Sequence, residues 1–224
     1  MLIVYTAITG RSPDFLETPA IPPDPRGRSV KFVVFTDGSP THCPPWEWRP
    51  LVWAHDSDPG RSARFHKIRP EMLFGADEAA YTLWHDATHT LRVNPWELVD
   101  RYLSKGKTLA TFRHPQRCCV YAERDACLRF KKDQPEVMAA QLDRYHAAGY
   151  PTGRGLYETS VLLRDHRSLV NREVSEAWWR ELVAGSRRDQ LSLPYALWRC
   201  CADERVAILP GDRVRSPFFT FSPH

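Results

Sequence analysis

The chain has 224 residues, of which 42% are hydrophobic and 26% charged, with a formal net charge of +4. This is long enough for a full core and too ordinary in composition for disorder; no run of about 18 apolar residues is present to span a bilayer. The mild basicity suits a phosphate-bearing ligand without demanding nucleic acid, and six cysteines without a C-x-x-C pair argue against a zinc or disulfide framework and for reduced thiols in a cytoplasmic protein.

Residues 2–9 are rich in β-branched side chains and end at Gly10, which predicts a first strand; the start lacks the basic segment and cleavage site of a signal peptide. Five prolines over residues 11–29 exclude a helix or a central strand there. Residues 30–36 form a second strand closing at Asp37-Gly38. A second proline-rich loop over 39–50 carries Trp46 and Trp48, candidates for stacking on a sugar or base, and residues 51–54 predict a short strand. Residues 61–74 read as a basic amphipathic helix restarted at Pro70. The run 81–86 is a buried central strand. Asn94-Pro95 caps a helix over 95–104, and residues 108–112 are another strand.

Residues 117–132 predict a helix or an irregular insertion, and 135–148 a helix stopped by Gly149. A strand over 156–164 is followed by helices over 172–184 and 189–199, the second bent by Pro194, with Trp178, Trp179 and Trp198 as core residues. Residues 206–209 form a late strand, and the tail after Pro210 shows no strong pattern. Strands alternate with helices throughout, which predicts an α/β fold with a mixed sheet covered on both faces.

No G-x-G-x-x-G, P-loop, G-x-S-x-G or H-E-x-x-H motif is present, which removes the common dinucleotide, NTPase, hydrolase and zincin chemistries. What remains are polar groups at predicted strand ends: Thr6 to Gly10, Asp37, Asp86 to His89, His114, Glu158 and His166. In open α/β sheets the chemistry lies beyond the carboxyl ends of the strands. There Asp86 and His89 could hold a divalent metal or a sugar hydroxyl, or they could form a plain solvated turn. Arg64 and Lys67, three residues apart, share a helix face that either meets phosphate or is simply solvated. Asp189 stands at a predicted helix start, where capping is the competing role.

Taken together, Thr6-Ala7-Ile8-Thr9-Gly10, Asp14, Phe35-Thr36-Asp37, Arg64 with Lys67, Leu83-Trp84-His85-Asp86-Ala87, His114, Tyr121-x-Glu123, Glu158, Arg164-x-His166 and Arg188-Asp189-Gln190-Leu191-Ser192 with Tyr195 and Trp198 give the chain a recognisable order. In this order it resembles a glycosyltransferase-like family, first described as a domain of unknown function, with plant pectin- and mucilage-related and bacterial members. The resemblance covers about residues 2–200 of a single domain, 1–224, and leaves 201–224 as a tail. It implies a GT-A-like (Rossmann-like), mostly parallel sheet and transfer of a sugar from a nucleotide-sugar donor, such as a UDP-sugar, to an unidentified acceptor hydroxyl, with a glycan as acceptor. The basic segment over 61–69 and the overall basicity keep DNA open as an acceptor or partner.

The resemblance also implies roles. Thr6, Ala7 and Thr9 would seat base and ribose, and Arg64 and Lys67 would neutralise the diphosphate. Asp86 occupies the place of an acid–x–acid motif that binds Mn²⁺ or Mg²⁺. Thr88 stands where the second acid belongs, so that His89 or His166 would complete the site or basic side chains would replace the metal. Asp189 or Glu158 would take the acceptor proton or stabilise the transition state, and His114 would orient a substrate. Two rival functions are a nucleotidyltransferase, which would need a second acid near Asp86, and a non-catalytic carbohydrate- or nucleic-acid-binding module.

Overall fold

A computed structural model describes residues 1–10, 16–39 and 43–223; Asp14 lies outside the described residues. Its centre is a seven-stranded sheet in the order β3-β2-β1-β4-β7-β6-β8. The strands are β1 (Leu2–Ile8), β2 (Val30–Thr36), β3 (Trp46–Pro50), β4 (Tyr81–His85), β6 (Leu109–Arg113), β7 (Tyr157–Asp165) and β8 (Val206–Leu209). β1 pairs in parallel with β2 and β4, β2 with β3, and β6 with β8, while β7 runs antiparallel to both β4 and β6. Six strands therefore point one way and β7 alone points back. The central strands read as near-continuous apolar runs because both of their faces are covered. In β1, Ile3, Tyr5 and Ala7 enter one core, and Leu2, Val4 and Ile8 the other.

One face is covered by α1 (Pro59–Ile68), α5 (Leu169–Ala184) and α6 (Asp189–Arg199), whose Ile68, Val174, Trp178, Leu182 and Leu193 meet the strand residues of the first core. The other face is covered by α2 (Pro95–Tyr102), through Trp96, Leu98 and Val99. α3 (Val120–Arg129) and α4 (Pro135–Ala147) close a third, smaller cluster against α6, built on Val120, Met138, Leu142, Tyr145 and Tyr195. The Tyr145 and Tyr195 rings stack there with centroids 3.8 Å apart. Among the described residues, no helix is long and apolar enough to cross a membrane.

Helix starts follow local chemistry. Asp58 caps α1 by accepting the Arg61 N–H, and Pro59 fills the first helical position, where a missing N–H costs nothing. Asn94 with Pro95 does the same for α2. The basic segment that began at residue 61 in the sequence reading starts earlier and ends at Ile68, followed by a 3₁₀ turn over Pro70–Met72. α5 begins at Leu169, capped by Ser168, three residues before expected.

Three expectations change. The short strand at 51–54 is a bend; the strand is β3, five residues earlier, set by the pairing of Phe32 with Trp46 through Thr36 with Pro50. Trp46 therefore leaves its supposed stacking role. It is buried, edge-on to Phe32 and His85, and its indole N–H donates to the Glu17 carbonyl. Trp48, on the same strand, packs at the margin of the second core. The tail after Pro210 is structured. β9 (Phe219–Phe221) pairs antiparallel with β5 (His89–Leu91), a short strand that the sequence reading did not predict.

Candidate active site

The parallel strands deliver Ile8 and Thr9 (at and just after the end of β1), Asp86 (after β4) and His114 (after β6) to one rim of the sheet. Because β7 runs the other way, its first residues, Glu158, Thr159 and Ser160, reach this same rim. A cleft of about 920 Å³ opens there. α1 contributes Arg64 and Lys67, the start of α6 contributes Arg188, Asp189 and Gln190, and the segment after β8 contributes Asp212 to Arg215.

At its base is a buried ion pair. Lys67 Nζ lies 2.6 Å from Asp189 Oδ2 and 3.5 Å from Asp86 Oδ1, and it donates to Thr159 Oγ1 at 3.0 Å. Thr159 in turn donates to Asp189 Oδ2 at 2.7 Å. Arg64 Nε stands 3.8 Å from Asp189 Oδ1. Asp189 does not cap its helix: it is the first helical residue, and no side chain bonds the exposed backbone donors. Burial alone would raise its pKa, but Lys67, Arg64 and Arg188 outweigh that and hold the carboxyl well below the usual carboxylate range. Such a carboxylate is a poor proton acceptor. It serves to keep two cations ordered at the cleft base.

Glu158 has the opposite character. Burial raises its pKa, which the Arg213 backbone N–H at 2.9 Å and the Arg213 side chain only partly offset. His114 is held neutral by burial and by Arg117, and its Nδ1 accepts the backbone N–H groups of Gln116 and Arg117. Glu123, expected only as part of a motif, is a buried partner of Arg117. Asp86 keeps a side chain 42% exposed to the cleft, with Oδ1 bonded by the Trp84 indole N–H at 2.9 Å.

Several expected site residues go elsewhere. Thr6 is wholly buried within β1, two residues short of its carboxyl end, and lies outside the cleft lining, whereas Ala7 and Thr9 line it. His166 follows the carboxyl end of β7, so the reversed direction of that strand carries it to the opposite rim. There its Nε2 bonds the Phe74 carbonyl at 3.1 Å. His89 also turns away: Nε2 bonds the Arg213 carbonyl at 3.1 Å and Nδ1 lies 3.2 Å from the Thr88 hydroxyl.

These placements leave the expected metal without a donor set. Among the described residues no three His, Cys, Asp or Glu side chains converge as metal ligands. Thr88 supplies no second acid, both imidazoles are engaged elsewhere, and Asp189 is matched with Lys67. The residues present do not fit a GT-A metal centre.

What the cleft does present is hydrogen-bond donors. Arg64 Nε and Arg188 Nε are buried and without a partner, as is the Ser160 hydroxyl. Buried donors are almost always satisfied, and the side chains that carry these orphans line the cleft, which makes them candidates to turn toward a ligand. Arg213 and Arg215, in the segment without a sequence pattern, add two cations on the far lip. Their only signal in the sequence is the basic spacing Arg213-x-Arg215.

Residues 53–218 match the family model of the TOD1/MUCI70, glycosyltransferase-like domain. The chain is 29% identical over 157 residues to the probable hexosyltransferase MUCI70 of Arabidopsis thaliana, an alignment covering 65% of this chain and 26% of that protein. It thus spans about a quarter of the length of that curated relative. Among solved structures, mouse xyloside xylosyltransferase 1 superposes with a TM-score of 0.54 at 11% identity, over 93% of this chain and 84% of that one. The galactosyltransferase LgtC, solved with donor and acceptor sugar analogues, gives 0.52 at 11% identity, over 93% and 73%. The bifunctional glycosyltransferase WbbM gives 0.52 at 10% identity, over 93% and 38%. At these identities the likeness establishes the fold, a GT-A sheet.

Proposed function

The chain belongs to the TOD1/MUCI70 glycosyltransferase-like family, and on that premise we propose that its cleft transfers a sugar from a nucleotide-sugar donor to an acceptor hydroxyl. The observation that carries this reading is the pair of buried, unpartnered N–H groups on Arg64 and Arg188, set in an open cleft at the carboxyl ends of the parallel strands. A dense anion such as a diphosphate satisfies such donors with charge-assisted bonds.

The roles follow from position. Ala7 and Thr9 flank the end of β1 and meet the nucleoside. Arg64, Arg188, Arg213 and Arg215 face the diphosphate. Asp86, the carboxylate with the most exposed side chain at the cleft floor, accepts hydrogen bonds from the donor sugar. Glu158, with its raised pKa, is better matched than Asp189 to receive the acceptor proton near neutral pH. The acceptor is a glycan hydroxyl, in keeping with the family.

A thermal-shift screen of nucleotide sugars tests this reading, since a ligand that binds only the folded state raises its melting temperature. One or more sugar nucleotides raise the transition, and the Arg188→Gln variant loses the rise. If no nucleotide or sugar nucleotide shifts the wild-type protein, the donor site is refuted.

A further inference from the structure

Resting on the donor site just described, we propose that this cleft neutralises its diphosphate with built-in side-chain cations, Lys67 standing between the two carboxylates where a bridging metal ion would otherwise sit. Lys67 Nζ is within 2.6 Å of Asp189 and 3.5 Å of Asp86, and its side chain is only 7% exposed. A buried ammonium held by Asp189, Asp86 and the Thr159 hydroxyl has little room to swing away. A divalent ion on Asp86 would have to share that carboxylate with this ammonium and would be repelled by it.

The charge balance agrees. Seven Lys or Arg and five Asp or Glu side chains line the cleft, an excess of two positive charges, which matches the two negative charges of a sugar-nucleotide diphosphate. Four of the five acids are already coupled to resident cations: Asp86 and Asp189 to Lys67, Glu123 to Arg117 and Glu158 to Arg213. Arg64 and Arg188 also stand near acids, 3.8 Å from Asp189 and 3.9 Å from Glu123, but their Nε–H groups make no hydrogen bond and are left for the ligand.

In the transfer, the bond between the anomeric carbon and the diphosphate oxygen breaks and its electron pair stays on that oxygen. The acceptor oxygen forms the new bond to the anomeric carbon and releases its proton to a cleft carboxylate or to water. The leaving nucleoside diphosphate gains one negative charge, and Arg64 and Arg188 are fixed in place to meet it, with Lys67 holding the acids beneath them. Preorganised cations need no rearrangement at that moment, which is why they stabilise the transition state more than mobile solvent does.

The test is calorimetric titration of the intact chain with inorganic pyrophosphate and with UDP, each in EDTA and in Mn²⁺, together with Mn²⁺ alone. Both ligands bind with affinities that agree within about twofold in the two buffers, and Mn²⁺ alone gives no site. Arg64→Gln and Arg188→Gln, which leave the Lys67–Asp189 pair intact, each weaken pyrophosphate about tenfold, the size of one charge-assisted hydrogen bond. A gain of tenfold or more with Mn²⁺ that Asp86→Asn removes would overturn the proposal, as would folded protein that binds neither ligand in EDTA. Metal-independent pyrophosphate binding without turnover of any nucleotide sugar would leave this proposal standing and refute the transferase reading instead.

Discussion

The two ends of β7 carry similar residues and do different work. At its start, Glu158, Thr159 and Ser160 are buried polar groups, joined by Lys67 and Asp189. At its finish, Arg164 and His166 are buried polar groups too. Arg164 donates to the Tyr5 hydroxyl at 3.2 Å, and burial, only partly opposed by Arg164, pushes the pKa of that hydroxyl up to about 12. Each end even has an unpartnered arginine nitrogen: Nε of Arg64 and Arg188 at one, Nη2 of Arg164 at the other. The cleft is what separates them, since it opens at the start of the strand alone, and its lining includes neither Arg164 nor His166. Burial, charge and unsatisfied donors identify a site only where a ligand can reach them.

Substitutions at the two ends should separate structure from function. The largest loss is expected for Asp189→Ala, which leaves the buried Lys67 ammonium with only the more distant Asp86 carboxylate and destabilises the fold by roughly 3 kcal/mol in urea unfolding, with pyrophosphate binding lost as well. A stability close to wild type would show that the pair is not buried in solution. Asp86→Asn acts on function alone. Its half-exposed side chain bears little structural load, so stability stays within about 0.5 kcal/mol while sugar transfer falls about 100-fold, as for other preorganised polar contacts. Unchanged transfer would remove Asp86 from the mechanism.

Acidification loads both sides of the sheet. Burial lowers the pKa values of His66 and His85 from 6.5 to about 4. A depressed folded-state pKa means that the unfolded chain binds protons first, so stability is intact above pH 6.5 and falls as the pH drops toward 4. Between pH 7 and 5 each contributes a loss of about 2 kcal/mol, read as a shift in urea midpoint. A flat profile across that window would mean that the imidazoles are solvated. The smallest effect belongs to the far end: His166→Asn weakens the tie to the Phe74 carbonyl, costs about 1 kcal/mol, and leaves pyrophosphate affinity unchanged. A loss of affinity in that variant would contradict the division between the two ends.

Much of the architecture was legible from the chain alone, because buried parallel strands write themselves as unbroken apolar runs. β1, β2, β4, β6, β7 and β8 all stand where such runs predicted. The exceptions share a cause. β3 lies in a proline-rich segment and β9 is three residues long, so both depend on pairing partners distant in sequence. The direction of β7 was equally invisible, since a strand reads alike both ways. That one ambiguity accounts for His166, placed at the cleft by proximity in sequence and at the opposite rim in space. For the site, Asp86, Glu158, Arg64, Lys67 and Asp189 come together as expected. The role of Asp189 does not follow from its type, because a lone acid at a helix start says nothing of the ammonium that packs against it from another element. The contribution of Arg213 and Arg215 was hidden for a similar reason: it exists only once β9 has paired with β5 and drawn that segment over the cleft.

The antiparallel strand also bears on how the molecule comes together. β7 is inserted between β4 and β6, two strands that precede it in the chain, with Tyr81 opposite Asp165 and Leu109 opposite Arg164. Until it arrives the sheet is two separate halves, and loop closure over such distances in sequence is slow. Thr159, on which Lys67 and Asp189 both depend, arrives with it. The cleft therefore cannot be assembled in advance by either half. Its electrostatics appear only once β7 has joined the two halves, so a chain folded short of that point would carry almost every site residue and still have no affinity for the diphosphate.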